Sequence, residues 1–216
     1  MCEAGGRVGP EAPAIWDYYD RRAAQGVRGV RHAVEYWNSL GVEVKAADVE
    51  AEAAELALHL RALTPASFVE VGAGPGTFTA LLPGRGIALD QSAANLQVLL
   101  AGPAKVPAVR ADALSLPIRD GGVERVYATH IYGLLTPEAR LALISEAERV
   151  ASELVIVDAG RPAGVPAEHW QNRTLPDGSA WRIFRRHFNG PDLAAEVGGV
   201  VVYAGQFYVM IRSTAP

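Results

Sequence analysis

Val69-Glu70-Val71-Gly72-Ala73-Gly74-Pro75-Gly76-Thr77 runs from an apolar, β-branched strand pattern into a turn that holds three glycines. Glycine lets a ligand approach the backbone where any Cβ would collide. A buried strand, a glycine-rich turn and then a helix is an arrangement that offers backbone N–H groups to a small molecule. The spacing here is GxGxG with Pro75 inside the turn, whereas a dinucleotide site reads GxGxxG with a helix N-terminus on a pyrophosphate. The turn therefore suits an amino-acid and ribose moiety, and a nicotinamide-dependent reductase is disfavoured.

Outward from this turn, strand-like and helix-like pieces alternate as the hydrophobic period changes from two to 3.6 and back. The pattern predicts a strand over Ser67–Val71, a helix from about Thr77 to Leu82, a strand over Gly86–Asp90 and a helix from about Ser92 to Leu100. Strands follow at Ala108–Arg110, Val123–Thr129 and Leu154–Asp158, with a helix over Pro137–Val150. Thr136-Pro137-Glu138 supplies that helix with a cap, a proline at its first position and an early acid. Such alternation argues for a mainly parallel sheet with helices on both faces.

Upstream, Asp48 is expected to cap a helix to about Leu63, along which Ala53, Leu56, Ala57, Leu60 and Leu63 form one buried stripe. Ile15 to about Leu40 is aromatic and basic, with Trp16, Tyr18, Tyr19, Tyr36 and Trp37, and reads as one or two short helices capping the domain. In the tail, Pro176-Asp177-Gly178 turns into an added strand over Ala180–Phe188. A helix from Gly190-Pro191-Asp192 to Gly198-Gly199 comes next, and Val200–Tyr203 with Phe207–Arg212 are spaced as an antiparallel hairpin. The domains expected are a loose terminus at 1–13, an aromatic cap or lid at 14–45, and a core domain at 46–216.

Half of the 216 residues are apolar and a fifth are charged, which fits a globular chain with one sizeable core and excludes a disordered or fibrous one. A formal charge of −4 draws the molecule to no polyanion, so nucleic acid is disfavoured as a partner. Cys2 stands alone, which excludes a disulfide framework and a CxxC metal site and suggests a reducing, cytoplasmic setting. No stretch reaches the roughly 20 apolar residues of a membrane span.

Asp90 closes its strand where a carboxylate can accept both hydroxyls of a ribose. Further on, Arg110-Ala111-Asp112-Ala113-Leu114-Ser115-Leu116-Pro117 precedes Asp120-Gly121-Gly122-Val123-Glu124-Arg125-Val126-Tyr127. On the glycine turn, Asp90, Asp112 and this Asp-Gly entry to the fourth strand, the run from Phe68 to about Leu135 resembles class I S-adenosylmethionine-dependent methyltransferases. With the periodicity, the resemblance implies an α/β fold: a doubly wound, Rossmann-like, mainly parallel sheet of seven strands with a C-terminal antiparallel hairpin.

It further implies that Gly72, Ala73, Gly74 and Gly76 lie against the methionine part of S-adenosylmethionine, Asp90 on its ribose with Gln91 beside it, and Asp112 and Ala113 about its adenine. Glu70 would brace the loop, and Thr129 would stand near the methionine amino group. Tyr18 and Tyr19 precede Asp20 as in a Tyr-Tyr-Asp element common among relatives, and are either a lid on the cofactor or helix anchors. Relatives often carry paired histidines after the fourth strand; here Gly133 and Leu134 occupy those places, so His130 inherits no role by alignment.

The activity expected is methyl transfer from S-adenosylmethionine to a small-molecule acceptor, releasing S-adenosylhomocysteine. RNA or protein acceptors, or a catalytically silent cofactor-binding subunit, are the alternatives. A base is needed only for an acceptor protonated at working pH, with His130, Tyr132 and His169 as candidates; packing roles compete for each. The Trp181–Phe188 run alternates to place Arg182, Phe184 and Arg186 on one face and Ile183, Arg185 and His187 on the other, and is expected to be a solvated edge strand. His32 and His59 lack ligand-spaced partners, so packing rather than metal binding is expected of them.

Overall fold

Phe68, Val69, Glu70 and Val71 are all buried in the first strand, β1 (Ala66–Val71), and so are all residues of β4 (Arg125–Thr129) and β5 (Glu153–Ala159). Strands buried on both faces belong to the middle of a parallel sheet covered by helices on either side. The computed structural model, which describes residues 12–26 and 30–214, shows that sheet. Residues 1–11, which include Cys2 and most of the expected loose terminus, lie outside the described residues.

Along the chain come α1 (Ala12–Ala24), α2 (Val30–Ser39), α3 (Ala46–Arg61), β1, β2 (Gly84–Asp90), α4 (Ala93–Ala101), β3 (Ala108–Arg110) and β4. They are followed by α5 (Pro137–Val150), β5, β6 (Glu168–Thr174), β7 (Ala180–Arg186), α6 (Gly190–Val197), β8 (Val200–Ala204) and β9 (Tyr208–Thr214). The main sheet has seven strands in the order β3-β2-β1-β4-β5-β9-β8, all parallel except β9, which runs antiparallel to both neighbours. Strand order reverses between β1 and β4, and open α/β sheets bind ligands beyond the carboxyl ends of the strands at such a point.

The side-chain period of two sorts the strands between two cores. Val69, Val71, Val126, Ala128 and Ile156 face Leu143 and Ala147 of α5 and Leu193 of α6. Phe68, Tyr127, Val155 and Val157 face Leu56 and Leu60 of α3. Glu52 of α3 also holds the β8–β9 turn, accepting the amides of Gln206, Phe207 and Tyr208 at 3.0, 2.7 and 2.7 Å.

Four expectations need correction. Asp48 is not the cap of α3 but its third residue, and its carboxylate accepts the amide of Lys45 at 3.2 Å. The helix expected over Thr77–Leu82 shrinks to one turn at Thr79–Leu81, because Pro83 holds Leu82 extended. Ala180–Phe188 does not extend the main sheet: β7 pairs with β6 in a separate two-stranded ribbon. Nor is β7 a solvated edge, since Ile183, Arg185 and the following His187 are buried at 2%, 6% and 1% exposure.

This ribbon, α1 and α2 together roof the carboxyl end of the sheet. Tyr18 of α1 is buried against Leu175 and Ile183, and Trp37 of α2 packs with Val42, Val44, Val49 and Phe207. Asp20 reaches from α1 to the start of α4, accepting the Ser92 hydroxyl at 2.6 Å and the Ala94 amide at 3.2 Å.

Candidate active site

The glycine turn leaves β1 with a left-handed backbone at Gly72 (φ +65°), Gly74 (φ +55°) and Gly76 (φ +84°). A Cβ at Gly72 would stand 2.8 Å from Ile131, so that position is closed by protein. At Gly74 the nearest atom would be 4.0 Å away, so the space over this residue is open to a ligand. Gly76 abuts Leu99 and is not part of the cavity wall.

Asp90, at the end of β2, ties the turn to the next helix. Its Oδ2 accepts the Gly74 amide and its Oδ1 the Ser92 amide, both at 2.7 Å. Burial raises its pKa, and these amides pull the other way. A carboxylate oxygen has a second lone pair, so acceptor capacity remains toward the cavity, which Asp90 lines.

Beneath the turn, Glu70 is fully buried and accepts the hydroxyls of Thr79 and Thr129, the latter at 2.6 Å. Burial pushes its pKa up to about 7 despite both bonds. Glu70 therefore joins β1, the turn after the loop and the end of β4 without itself reaching the cavity. Thr129 does line it; with its proton committed to Glu70, its oxygen is left as an acceptor.

A cavity of about 670 Å³ extends from the turn to the roof. At one end stand Gly72, Ala73, Gly74, Asp90, Gln91, Asp112 and Ala113. Asp112 is held by an Asx turn, its Oδ1 accepting the Leu114 amide at 2.9 Å, and the Gln91 carbonyl accepts Arg110 Nε at 2.8 Å. At the other end are Tyr19, Arg22 and His32 from the helices, Arg173 and Arg185 from the ribbon, and Tyr208 from β9.

His130 lies between them with φ +57°, the one non-glycine residue with positive φ among those described. Such a backbone costs about 1–3 kcal/mol and persists only where its surroundings enforce it. Here the His130 amide donates to the Val157 carbonyl at 2.7 Å, and the ring sits 5.3 Å from Phe78 and 5.5 Å from Tyr208. Arg185 Nη2 lies 3.3 Å from His130 Nδ1 and 2.8 Å from the buried Asp158 Oδ1. Since arginine can only donate, Nδ1 accepts and the ring proton belongs on Nε2. Burial, outweighing Asp158, drives the His130 pKa down to about 4. The ring is a neutral donor and is poorly set up as the general base suggested by sequence.

The other two base candidates are not in this cavity. Tyr132 is buried against Phe188 and gives its proton to Glu196 Oε1 at 2.8 Å, with burial first and Glu196 next raising its pKa. His169 shares a ribbon face with Arg173 and Arg185 but is stacked on His187 at 5.2 Å and bonded to Gln171, and it does not line the cavity. Tyr18 also stays outside, whereas its neighbour Tyr19 faces in. His32, expected to be a packing residue, lines the cavity, while His59 packs 5.2 Å from Tyr203. Among the described residues no group of three His, Cys, Asp or Glu is placed to hold a metal ion.

Arg22, Tyr36, Arg173 and Arg185 were missed in the sequence. For Arg185 a signal existed, because strand alternation groups it with Ile183 and His187 on the face that proves to be buried.

A seven-stranded sheet in this order, with a glycine turn after its first strand and an acid ending its second, defines the class I methyltransferase fold. Residues 69–154 match a family described as "Methyltransferase domain". Over that stretch the chain is similar to this methyltransferase family. Among solved structures, a DhpI–SAH complex is 21% identical over 94% of this chain and 97% of its own, with TM-score 0.67. A DhpI-SAM-HEP complex is 22% identical over 93% and 97%, with TM-score 0.65. The glycopeptide N-methyltransferase MtfA with sinefungin is 19% identical over 76% and 93%, with TM-score 0.54. No curated protein sequence matches the chain. Among the described residues no helix is long and apolar enough to cross a membrane.

Proposed function

We propose that the protein methylates a small molecule in the cytoplasm, with S-adenosylmethionine at the glycine-turn end of the cavity and the acceptor under the roof. One observation carries this reading: the cavity joins the two ends, and its volume of about 670 Å³ lies within the usual range for small-molecule sites, roughly 300–1,000 Å³. The solved relatives named with SAM and with a glycopeptide agree with it. A polymer would have to enter beneath α1, α2 and the β6–β7 ribbon.

The residues fit that cofactor. Open space over Gly74 is the cradle a Cβ would fill. Gly72, Ala73 and Gly74 would border its methionine part, Thr129 would accept from the amino group, and Asp90 would accept the ribose hydroxyls with Gln91 alongside. Asp112 and Ala113 would flank the adenine, and Tyr19 would cover the site from α1. Glu70, Gly76 and Tyr18 act one step back, bracing the loop and the roof. In this reading residues 14–45 are the lid and 46–216 the catalytic domain.

The bound cofactor supplies an already activated methyl group, so the protein's task is placement. Holding a nucleophile in line and excluding water is worth roughly 7–11 kcal/mol. His130, with its proton on Nε2, can donate to an acceptor oxygen or nitrogen and so orient it. Incubating the protein and S-adenosylmethionine with metabolite pools should yield a product heavier by one methylene. Cofactor binding with no product from any pool would favour the silent subunit, and binding of NADH in place of S-adenosylhomocysteine would overturn the reading.

A further inference from the structure

The roof end of the cavity holds more positive charge than it neutralises. Arg22 of α1, Arg173 of β6 and Arg185 of β7 all line it. Arg185 is paired with Asp158, whose carboxylate also accepts the amides of Gly133 and Ala159 at 2.8 and 2.7 Å. Neither Arg22 nor Arg173 has a carboxylate within 4.0 Å among the described residues. Arg22 Nε is buried and has no hydrogen-bond partner among the described residues.

Arg173 is held in place by its neighbours. Gln171 Oε1 takes its Nε and Nη2 at 3.0 and 2.8 Å, and its guanidinium lies 5.9 and 5.7 Å from the ring centres of Tyr18 and Tyr36. Guanidinium does not lose its proton in proteins, so a half-buried one without a counter-charge invites an anion. The carboxylates that line the cavity, Asp90 and Asp112, belong to the glycine-turn end. The field is felt by neighbours: burial, then Arg22 and Arg173, push the His32 pKa down to about 4.

We propose that the methyl acceptor is an anion, and that Arg173 with Arg22 clamps its carboxylate or phosphoryl oxygens. Planar guanidinium forks match both oxyanions. The assignment rests on the reading of this end as the acceptor site.

Titration calorimetry tests it on the full chain saturated with S-adenosylhomocysteine, with benzoate and phenylphosphonate as probes and benzamide as the neutral comparison. At least one anion should bind tenfold or more tighter than benzamide, and the tighter of the two identifies the oxyanion. Arg173→Gln and Arg22→Gln should each weaken that anion at least tenfold while leaving S-adenosylhomocysteine affinity and the thermal midpoint unchanged. Arg173→Lys should restore part of the loss by keeping the charge without the fork. Equal binding of both anions and benzamide to the unaltered protein would overturn the clamp. So would a loss of S-adenosylhomocysteine affinity in the arginine variants as large as the anion loss, because the guanidinium would then serve the cofactor's own carboxylate. If S-adenosylhomocysteine itself does not bind, the cofactor reading fails, and the same titration without it still reports whether the anion is preferred.

Discussion

The Asp90 carboxylate accepts the Gly74 amide at 2.7 Å across the mouth of the glycine turn. One side chain thus shapes the loop and lines the cavity. Asp90→Ala should cost roughly 1.5–3 kcal/mol of S-adenosylhomocysteine affinity for each charged hydrogen bond lost. Asp90→Asn keeps one acceptor oxygen and should lose less. Calorimetry on folded variants measures this, and unchanged affinity in Asp90→Ala would mean the ribose lies elsewhere.

Glycine substitutions should separate folding from binding. Gly72→Ala places a methyl 2.8 Å from Ile131 at φ +65° and should lower the thermal midpoint markedly. Gly74→Ala meets no protein atom nearer than 4.0 Å, so its folding penalty is the left-handed backbone, about 1–2 kcal/mol, and its larger effect should fall on cofactor affinity. Equal ligand affinity in Gly74→Ala and the unaltered protein would empty the cradle.

Glu70 makes stability pH-dependent. Its pKa of about 7 lies above the ordinary 4.5, so the folded state holds a proton that the unfolded state has released between these values. Its contribution is fully present below pH 4.5 and is lost as pH rises through about 7, reaching roughly 3 kcal/mol at 1.36 kcal/mol per unit. Glu70→Gln cannot ionise and should flatten this part of the stability curve, which urea melts at pH 5 and pH 8 would reveal. An unchanged slope would show that Glu70 ionises normally.

Tyr132 separates proximity in sequence from proximity in space. Tyr132→Phe removes the hydrogen bond to Glu196 and should cost about 1 kcal/mol of stability, with methyl transfer unaffected at every pH. A drop in turnover with stability unchanged would restore Tyr132 to the chemistry.

If α1 and α2 act as a lid, their amides should exchange faster than those of β1 and β4, and S-adenosylhomocysteine should slow them. Equal exchange with and without ligand would remove the lid from the mechanism. Truncating the first 40 residues should not leave a well-behaved domain, as it deletes Trp37 from the cluster with Val42, Val49 and Phe207 and removes the Asp20 cap of α4. Hydrogen exchange and the solubility of the truncated chain report on these two points separately.

Most of the sheet, and the glycine-turn end of the cavity, were legible in the sequence because their determinants are local. A strand buried on both faces, a left-handed turn that only glycine enters freely, and an acid at a strand's last residue are each written within a few adjacent positions. Parallel strands in register then bring Val71 beside Leu89, which delivers the Gly72 turn and Asp90 to the same edge. The roof is different. Tyr36 Oη and His187 Nε2 are 2.6 Å apart and 151 residues distant in the chain, and Arg22 meets Arg173 in one cavity only because α1 packs on the β6–β7 ribbon. Likewise, His130 faces the cavity and Tyr132 the core because the backbone turns left-handed at His130 and its amide is caught by Val157. Side-chain direction after such a turn depends on what packs around it, so tertiary structure alone decided which of these neighbouring residues could reach a ligand.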